Sequence, residues 1–560
     1  MSCRNSLPLL QTSLFQIPLH SLTTNQRAQL SYDKAKALGL AYNITIDDLV
    51  ELRPNFWNLF TDPVAALDAA MISLLAIHYN LCAGTIVEHL PARPDLLPLL
   101  EDLLHFRKFG QFMLSEVGHG LDAARLETIA TMLPSGDFDL HTPSAQAMKF
   151  MPPTLPVGTP CIAVVFARLI VDGEDRGVRA FVVALNDGEE MCQNVTARPL
   201  PWRGNPNPMN HALTSFRHVR LPHSALLGSL EKVSGPRLSP LHSTWWRIAV
   251  GSMAVGCLGL PAMEYCATLG ATYSMRRTVG KGIAIFQFRT QQIPILTVTA
   301  QVYVARAFRT WATREFSVKD KDKNVLHGLA VTYKSVMVQH ARRGSLAIGS
   351  RCGAQGLFAH NMFTTLYDEL RGLETAEGDI FVLSIRLAID LLKGLYALPP
   401  PSNPSSPLAR HEAGLMEEAR SIVLNATRSK SDGNRLLLAR CFPLIESIGH
   451  RMAYEAAVAA KVMPSLLDLY VSSVMKLDPA WYSENLGLPR AAQELMEAKA
   501  ADEVLPHLTS LIRDMDVLPY VSAPIASDEH WRAFVDTLPV YAGHGEVDMH
   551  GAEGPVRASL

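Results

Sequence analysis

The sequence predicts a mostly helical α+β protein, with one small β domain set between helical regions. Three observations predict it. Thr244 to Met275, Phe286 to Ser317 and Asn324 to Ile348 are long, largely free of proline and built from good helix formers. Cys161 to Val171 (CIAVVFARLIV) and Gly177 to Leu185 (GVRAFVVAL) are rich in β-branched residues and flank the turn material Asp172, Gly173 and Asp175. Leu398 to Leu408 (LPPPSNPSSPL) cannot continue a helix and reads as a stiff spacer between two helical regions.

Taken in order, residues 1–110 read as an N-terminal helical domain. Asp62 to Leu81 is dense in Ala, Leu and Ile, and Leu96 to Phe106 repeats Leu at helical spacing. Residues 111–228 form the β domain, with Ala212 to Leu221 as a further strand ended by Pro222. Residues 229–397 form an antiparallel helix bundle whose last helix is Ile380 to Leu395. Residues 409–560 add helices at Glu412 to Ala426, Asn434 to Ala460 and Leu466 to Met475, then a Gly- and His-rich end. A chain of 560 residues is too long for one core.

Bulk composition excludes some functions. With 51 basic and 53 acidic residues, net charge is -2, which gives no electrostatic reason to expect a nucleic-acid partner. The eight cysteines form no C-x-x-C pair, so reduced thiols are expected rather than a zinc site or disulfide framework. Ile248 to Leu260 is shorter than the roughly 20 residues that a membrane span needs, and reads as a buried core helix. No membrane span is expected, and His89, His119, His211 and His360 lack metal-ligand spacing, so no metal is expected either. The end, Ala558-Ser559-Leu560, is a faint match to a peroxisomal tripeptide. The expected compartment is intracellular, peroxisomal or cytoplasmic.

Three separated segments carry chemistry. Ser115 to Gly120 (SEVGHG) lies at the start of the β domain, and its glycines would let backbone approach a ring or thioester. Met275 to Gly280 (MRRTVG) closes a long helix, and the forked donors of Arg276 suit a diphosphate. Arg351 to Gly356 (RCGAQG) is followed by Glu377-Gly378-Asp379 just before the last bundle helix. Together they resemble the acyl-CoA oxidases and, more distantly, the acyl-CoA dehydrogenases. The family carries Thr-Glu-x-Gly-x-Gly, Arg-x-x-Phe-Gly, Cys-Gly-Gly-x-Gly and Glu-Gly-Glu or Glu-Gly-Asp at these places. Phe288 to Gln292 (FRTQQ) is similar to a further oxidase stretch. The resemblance covers about residues 70 to 395.

The resemblance implies an acyl-CoA dehydrogenase-like fold and FAD as cofactor. It implies Glu377 as catalytic base, with Ser115, Gly118, Gly120, Met151, Pro153, Arg276, Gln291, Gly353, Gly356 and Asp379 as cofactor-binding residues. It also implies an acyl-CoA or related small-molecule substrate, oxygen as electron acceptor, and a homodimer or tetramer. The logic is chemical. Desaturation across a Cα–Cβ bond needs a base on one side and a hydride acceptor on the other, and no side chain accepts hydride. Departures from the pattern stand at Ser115, Leu121, Phe150-Met151-Pro152-Pro153, Val279 and Ala354. They leave two alternatives open: a non-CoA or carrier-bound substrate in a biosynthetic pathway, or a flavin-free scaffold.

Overall fold

The computed structural model describes residues 4–547 apart from 121, 205–206, 233–240 and 426–429. Leu121 and the C-terminal tripeptide, singled out above, lie outside the described residues.

The N-terminal region is helical. Helix α1 (Thr24–Tyr42) starts with a capping box between Thr23 and Gln26. Helix α2 (Ala69–Leu75) is capped by the Asp68 side chain and runs into a π-helical stretch, Ala76–Ala83. That stretch is a local widening of the kind often found at functional sites. Helix α3 (Leu97–Leu104) ends the region.

The β domain follows. Strands β1 (Phe109–Met113), β2 (Ile129–Met132), β3 (Phe138–His141), β4 (Lys149–Pro153), β5 (Cys161–Val171) and β6 (Glu174–Asn186) come first. Then come β7 (Val195–Pro199), β8 (His211–Phe216), β9 (Val219–Leu221) and β10 (Leu226–Leu227). One sheet runs β10-β6-β5-β2-β3-β9, with β1 also paired to β5, and a second runs β4-β8-β7. Strand β5 has the expected bounds. Strand β6 begins earlier than Gly177, because Asp172 (φ 51°) and Gly173 (φ 76°) make a two-residue turn that pairs Val171 with Glu174. The expected strand Ala212 to Leu221 is two strands, broken where His218 takes φ 54°.

The bundle contains α4 (Leu241–Cys257), α5 (Gly259–Arg276), α6 (Arg289–Phe316), α7 (Lys323–Gly349), α8 (Phe363–Thr375) and α9 (Ile380–Leu392). The expected single helix Thr244 to Met275 is interrupted at Leu258, where Pro261 removes the N–H that would bond the Cys257 carbonyl. Helix α7 is central and packs on α4, α5 and α8. Two helical segments, Ala69–Val87 and Trp246–Arg276, are long and apolar enough to cross a membrane, but they are 89% and 94% buried inside the protein.

Beyond the spacer come α10 (Pro407–Asn425), α11 (Lys430–Ala459), α12 (Pro464–Met475), α13 (Arg490–Val504) and α14 (Asp528–Asp536). Helix α10 begins inside the expected spacer because Pro407 suits a first helical turn. The spacer is tied down by α11: Arg451 donates to the Pro399 carbonyl, and Glu455 accepts from the Ser402 N–H.

Candidate active site

Glu377 stands in the short turn between α8 and α9. It takes φ 57°, a left-handed conformation unusual for a side chain of its size, and Gly378 follows at φ 97°. The turn is held by side chains from two other helices. Lys334 Nζ, on α7, donates to the carbonyls of Ala376 (2.5 Å), Gly378 (2.6 Å) and Glu374 (3.4 Å). Ser252 Oγ, on α4, donates to the Glu377 carbonyl at 2.7 Å. Asp379 is the N-cap of α9, accepting from the N–H groups of Phe381 and Val382.

The Glu377 side chain reaches α4 at Gly251. A Cβ there would lie 2.4 Å from the carboxyl carbon and 2.8 Å from Asn80 Nδ2. Asn80 lies in the π-helical stretch; its Nδ2 donates to the Arg247 carbonyl, while its buried Oδ1 has no partner among the described residues. Glu377 keeps part of its surface accessible, but its carboxyl is enclosed. Burial pushes that carboxyl up to about 8, against the pull of Lys334. Burial likewise brings Lys334 down to about 7, against the pull of Glu377, Asp379 and Glu374. Asn80, Gly251, Ser252 and Lys334 were not marked by the sequence reading. Gly251 in an otherwise helical run was the one local signal, since an interior glycine often marks a close approach.

Three of the expected residues share a second place. A cleft of about 620 Å³ is lined by Arg276, Arg277, Gln291, Arg351 and the loop Cys352 to Gln355, including Gly353. Gly353 takes φ 58° with open space where a Cβ would be. Gly356 faces inward instead, its Cα against the Gly349 carbonyl, where no side chain would fit. Gln291 Nε2 donates to the Arg351 carbonyl at 3.3 Å. The C-terminal segment closes one side with Ile525, Asp528 and Trp531. Arg276 is ion-paired with Asp528 and donates to the Ile525 carbonyl at 2.6 Å. Glu377 is not part of this lining.

The remaining expected residues form one wall. Phe150 N–H donates to the Ser115 carbonyl, and Gly118 N–H to the Gln146 carbonyl, so the first motif runs beside β4. Ser115 Oγ donates to the Gly120 carbonyl at 3.4 Å, and Gly120 faces open space. Under the wall, Glu116 and Lys149 form a fully buried ion pair at 2.9 Å. Burial alone would raise Glu116, yet Lys149 and the Glu127 N–H hold it below the usual carboxylate range. His119 Nε2 lies 2.9 Å from Glu127 Oε1, a local contact. Met151, at φ 61°, sits in an irregularity of β4 between Phe150 and Pro153. Its carbonyl is 2.6 Å from His211 Nδ1, and the Pro153 carbonyl accepts from Tyr32.

This architecture, a β domain between helical regions, is the acyl-CoA dehydrogenase-like fold. By sequence the chain is similar to acyl-CoA oxidases. Residues 261–392 match the family model of the acyl-CoA oxidase C-alpha1 domain. The chain is 25% identical over 372 residues to peroxisomal acyl-coenzyme A oxidase 2 of Arabidopsis thaliana, covering 61% of this chain and 53% of that protein. It is 28% identical over 315 residues to peroxisomal acyl-coenzyme A oxidase 1 of the same plant, covering 52% and 47%. The matched region thus spans about half the length of these curated relatives. In three dimensions the likeness is wider. Acyl-CoA oxidase 3 from Yarrowia lipolytica superposes with TM-score 0.78 at 19% identity, covering 95% of this chain and 88% of that one. Acyl-CoA oxidase-1 of Caenorhabditis elegans, complexed with FAD and ATP, gives 0.77 at 18%, covering 96% and 90%.

Proposed function

We propose that this chain is an FAD-dependent oxidoreductase that converts an acyl thioester, such as an acyl-CoA, to its trans-2-enoyl form. The observation that carries this reading is Glu377: an enclosed carboxyl on a constrained turn, its proton affinity raised to about 8. A general base works best when its pKa lies near the operating pH. In this reading the Glu377 carboxylate takes the α-proton. Its backbone N–H donates to the thioester oxygen as negative charge develops there.

The residues fit FAD. Arg276, Arg277 and Arg351 bring guanidinium groups to one cleft, a donor set suited to a diphosphate, beside the open backbone of Gly353. In the Ser115–Gly120 wall, Gly118 and Gly120 present exposed backbone without a side chain, which suits close approach of a flat ring. When bound, FAD supplies the hydride acceptor that the protein lacks. The separation of Arg276 from the Glu377 enclosure supports a homodimer or tetramer in which the cleft serves a second copy's flavin. Oxygen as acceptor and a peroxisomal setting follow the names of the relatives.

A second reading, a non-CoA or carrier-bound substrate, draws support from the wall. There Phe150 and Met151 stand where the family has an indole, and Met151 adopts a left-handed conformation. The test is the purified protein with Glu377→Gln beside it. A yellow wild type bleached by acyl-CoA without oxygen, and a yellow variant that is not bleached, support the first reading. Bleaching by carrier-bound acids alone supports the second. A colourless protein that refuses added FAD leaves the flavin-free scaffold.

A further inference from the structure

Lys334 is a buried lysine that makes no ion pair among the described residues. Its side chain is fully buried in the middle of α7, between Tyr333 and Ser335, which are also buried. The close approach of α4 makes room for it. An added Cβ at Gly256 would lie 2.8 Å from the Tyr333 ring and 3.0 Å from the Lys334 Cα. So α4 carries two glycines with separate uses: Gly256 admits the backbone of Lys334, and Gly251 admits the carboxyl of Glu377.

An ammonium has three N–H donors. Here its hydrogen bonds go to the carbonyls of Glu374, Ala376 and Gly378, which flank Glu377 on both sides. Packing does not explain this choice. Burying a charge is costly, and an apolar side chain of similar volume would fill the same space at lower cost. The carboxylates nearest to it are unequal. Glu374 is already ion-paired with Arg342 and accepts from Gln339 Nε2 at 2.8 Å, and Asp379 caps α9. Glu377 makes no ion pair among the described residues. The groups that meet it from α4 and the π-helical stretch are Gly251, Ser252 and Asn80, none of which titrates.

We propose that Lys334 is the positioning residue for Glu377: reaching across from α7, it holds the carbonyls on either side of that residue, so the carboxyl stays in its left-handed turn against Gly251. This deepens the reading of Glu377 as the base, and rests on it. A left-handed non-glycine residue is strained, so the turn needs an external hold to persist. Among the described residues, the charge of Lys334 also favours the ionised form of Glu377. Shape and charge are therefore supplied by a single side chain.

The experiment compares wild type, Lys334→Met and Glu377→Gln as flavin-loaded proteins, following kcat and kcat/KM against pH with an acyl thioester. Melting and the flavin spectrum establish that each variant is folded. Lys334→Met is expected to keep its flavin and to lose roughly 10- to 100-fold in kcat through misplacement of the base. Its acid limb is expected to move up by about one pH unit or more, because an opposite charge nearby has been removed. General loosening of the structure would lower kcat without moving the limb. Should Lys334→Met not fold, Lys334→Gln keeps an amide donor and similar bulk, and the same limb shift is expected. A folded lysine variant with wild-type kcat and an unmoved limb overturns the proposal. Wild-type turnover by Glu377→Gln overturns the reading of the base itself, which separates the two failures.

Discussion

The carboxyl of Glu377 occupies the space that a side chain on Gly251 would take. A Cβ at Gly251 would sit 2.5 Å from Glu377 Oε2, well inside van der Waals contact. Gly251→Ala should therefore evict the proposed base without altering it chemically. Helix α4 gains from alanine by its intrinsic propensity, so the fold should hold. We expect melting within a few degrees of wild type and a fall in kcat of about 100-fold, as for a small misplacement of a reacting group. Near-normal turnover would show that the carboxyl can work from elsewhere.

Burial raises Glu377 to about 8, and only its ionised form can accept a proton. The sign follows: below pH 8 most of the free enzyme carries a protonated base, so kcat/KM should climb with pH, with an apparent midpoint near 8. Lys334, brought down to about 7 by burial, titrates in the same range, so the midpoint belongs to the coupled pair. A profile flat from pH 6 to 9 would contradict an enclosed carboxylate base; these limits bracket the two values.

The order of helical and β segments and the turn that carries Glu377 were legible because both leave local marks. Cys161 to Val171 is a strand by composition alone, and Glu377-Gly378-Asp379 precedes a helix start that Asp379 does cap. The support of the base was not legible. Asn80, Ser252 and Lys334 come from three elements far apart in sequence, and each looks locally like an ordinary helix residue. Lys334 in particular reads as a solvated charge, because its partners are backbone carbonyls that no side-chain pattern betrays. The break at Leu258 was legible in principle, since Pro261 announces it.

The wall beside the expected flavin face depends on the buried pair of Glu116 and Lys149. Lys149 donates to Glu116 at 2.9 Å and to the Phe166 carbonyl at 2.7 Å, while Glu116 accepts from the N–H groups of Glu127 and Thr128. Glu116→Gln leaves a buried ammonium without its counter-charge, a change that costs about 3 kcal/mol or more. Chemical denaturation should show that loss, and the double variant Glu116→Gln with Lys149→Met should recover a good part of it. Equal stability of wild type and Glu116→Gln would mean that the pair is neutral.

A diphosphate at Arg276 meets a guanidinium that is already partnered. Its guanidinium is held by Asp528 and the Ile525 carbonyl, both from the C-terminal segment, so a phosphate ligand competes with the chain's own carboxylate. Asp528 is exposed, and pairs of this kind contribute roughly 0.2–1 kcal/mol, which converts to a few-fold change in affinity. Asp528→Asn should therefore tighten FAD binding a few-fold, and Arg276→Gln should weaken it by more, because a charge-assisted contact is then lost altogether. Both effects should shrink as salt is raised, since the groups are solvent-accessible. Titration of the flavin-stripped protein with FAD at two ionic strengths measures all of this. Unchanged affinity in both variants would remove the cleft of Arg276 from cofactor binding and leave that ion pair as a clasp for α14.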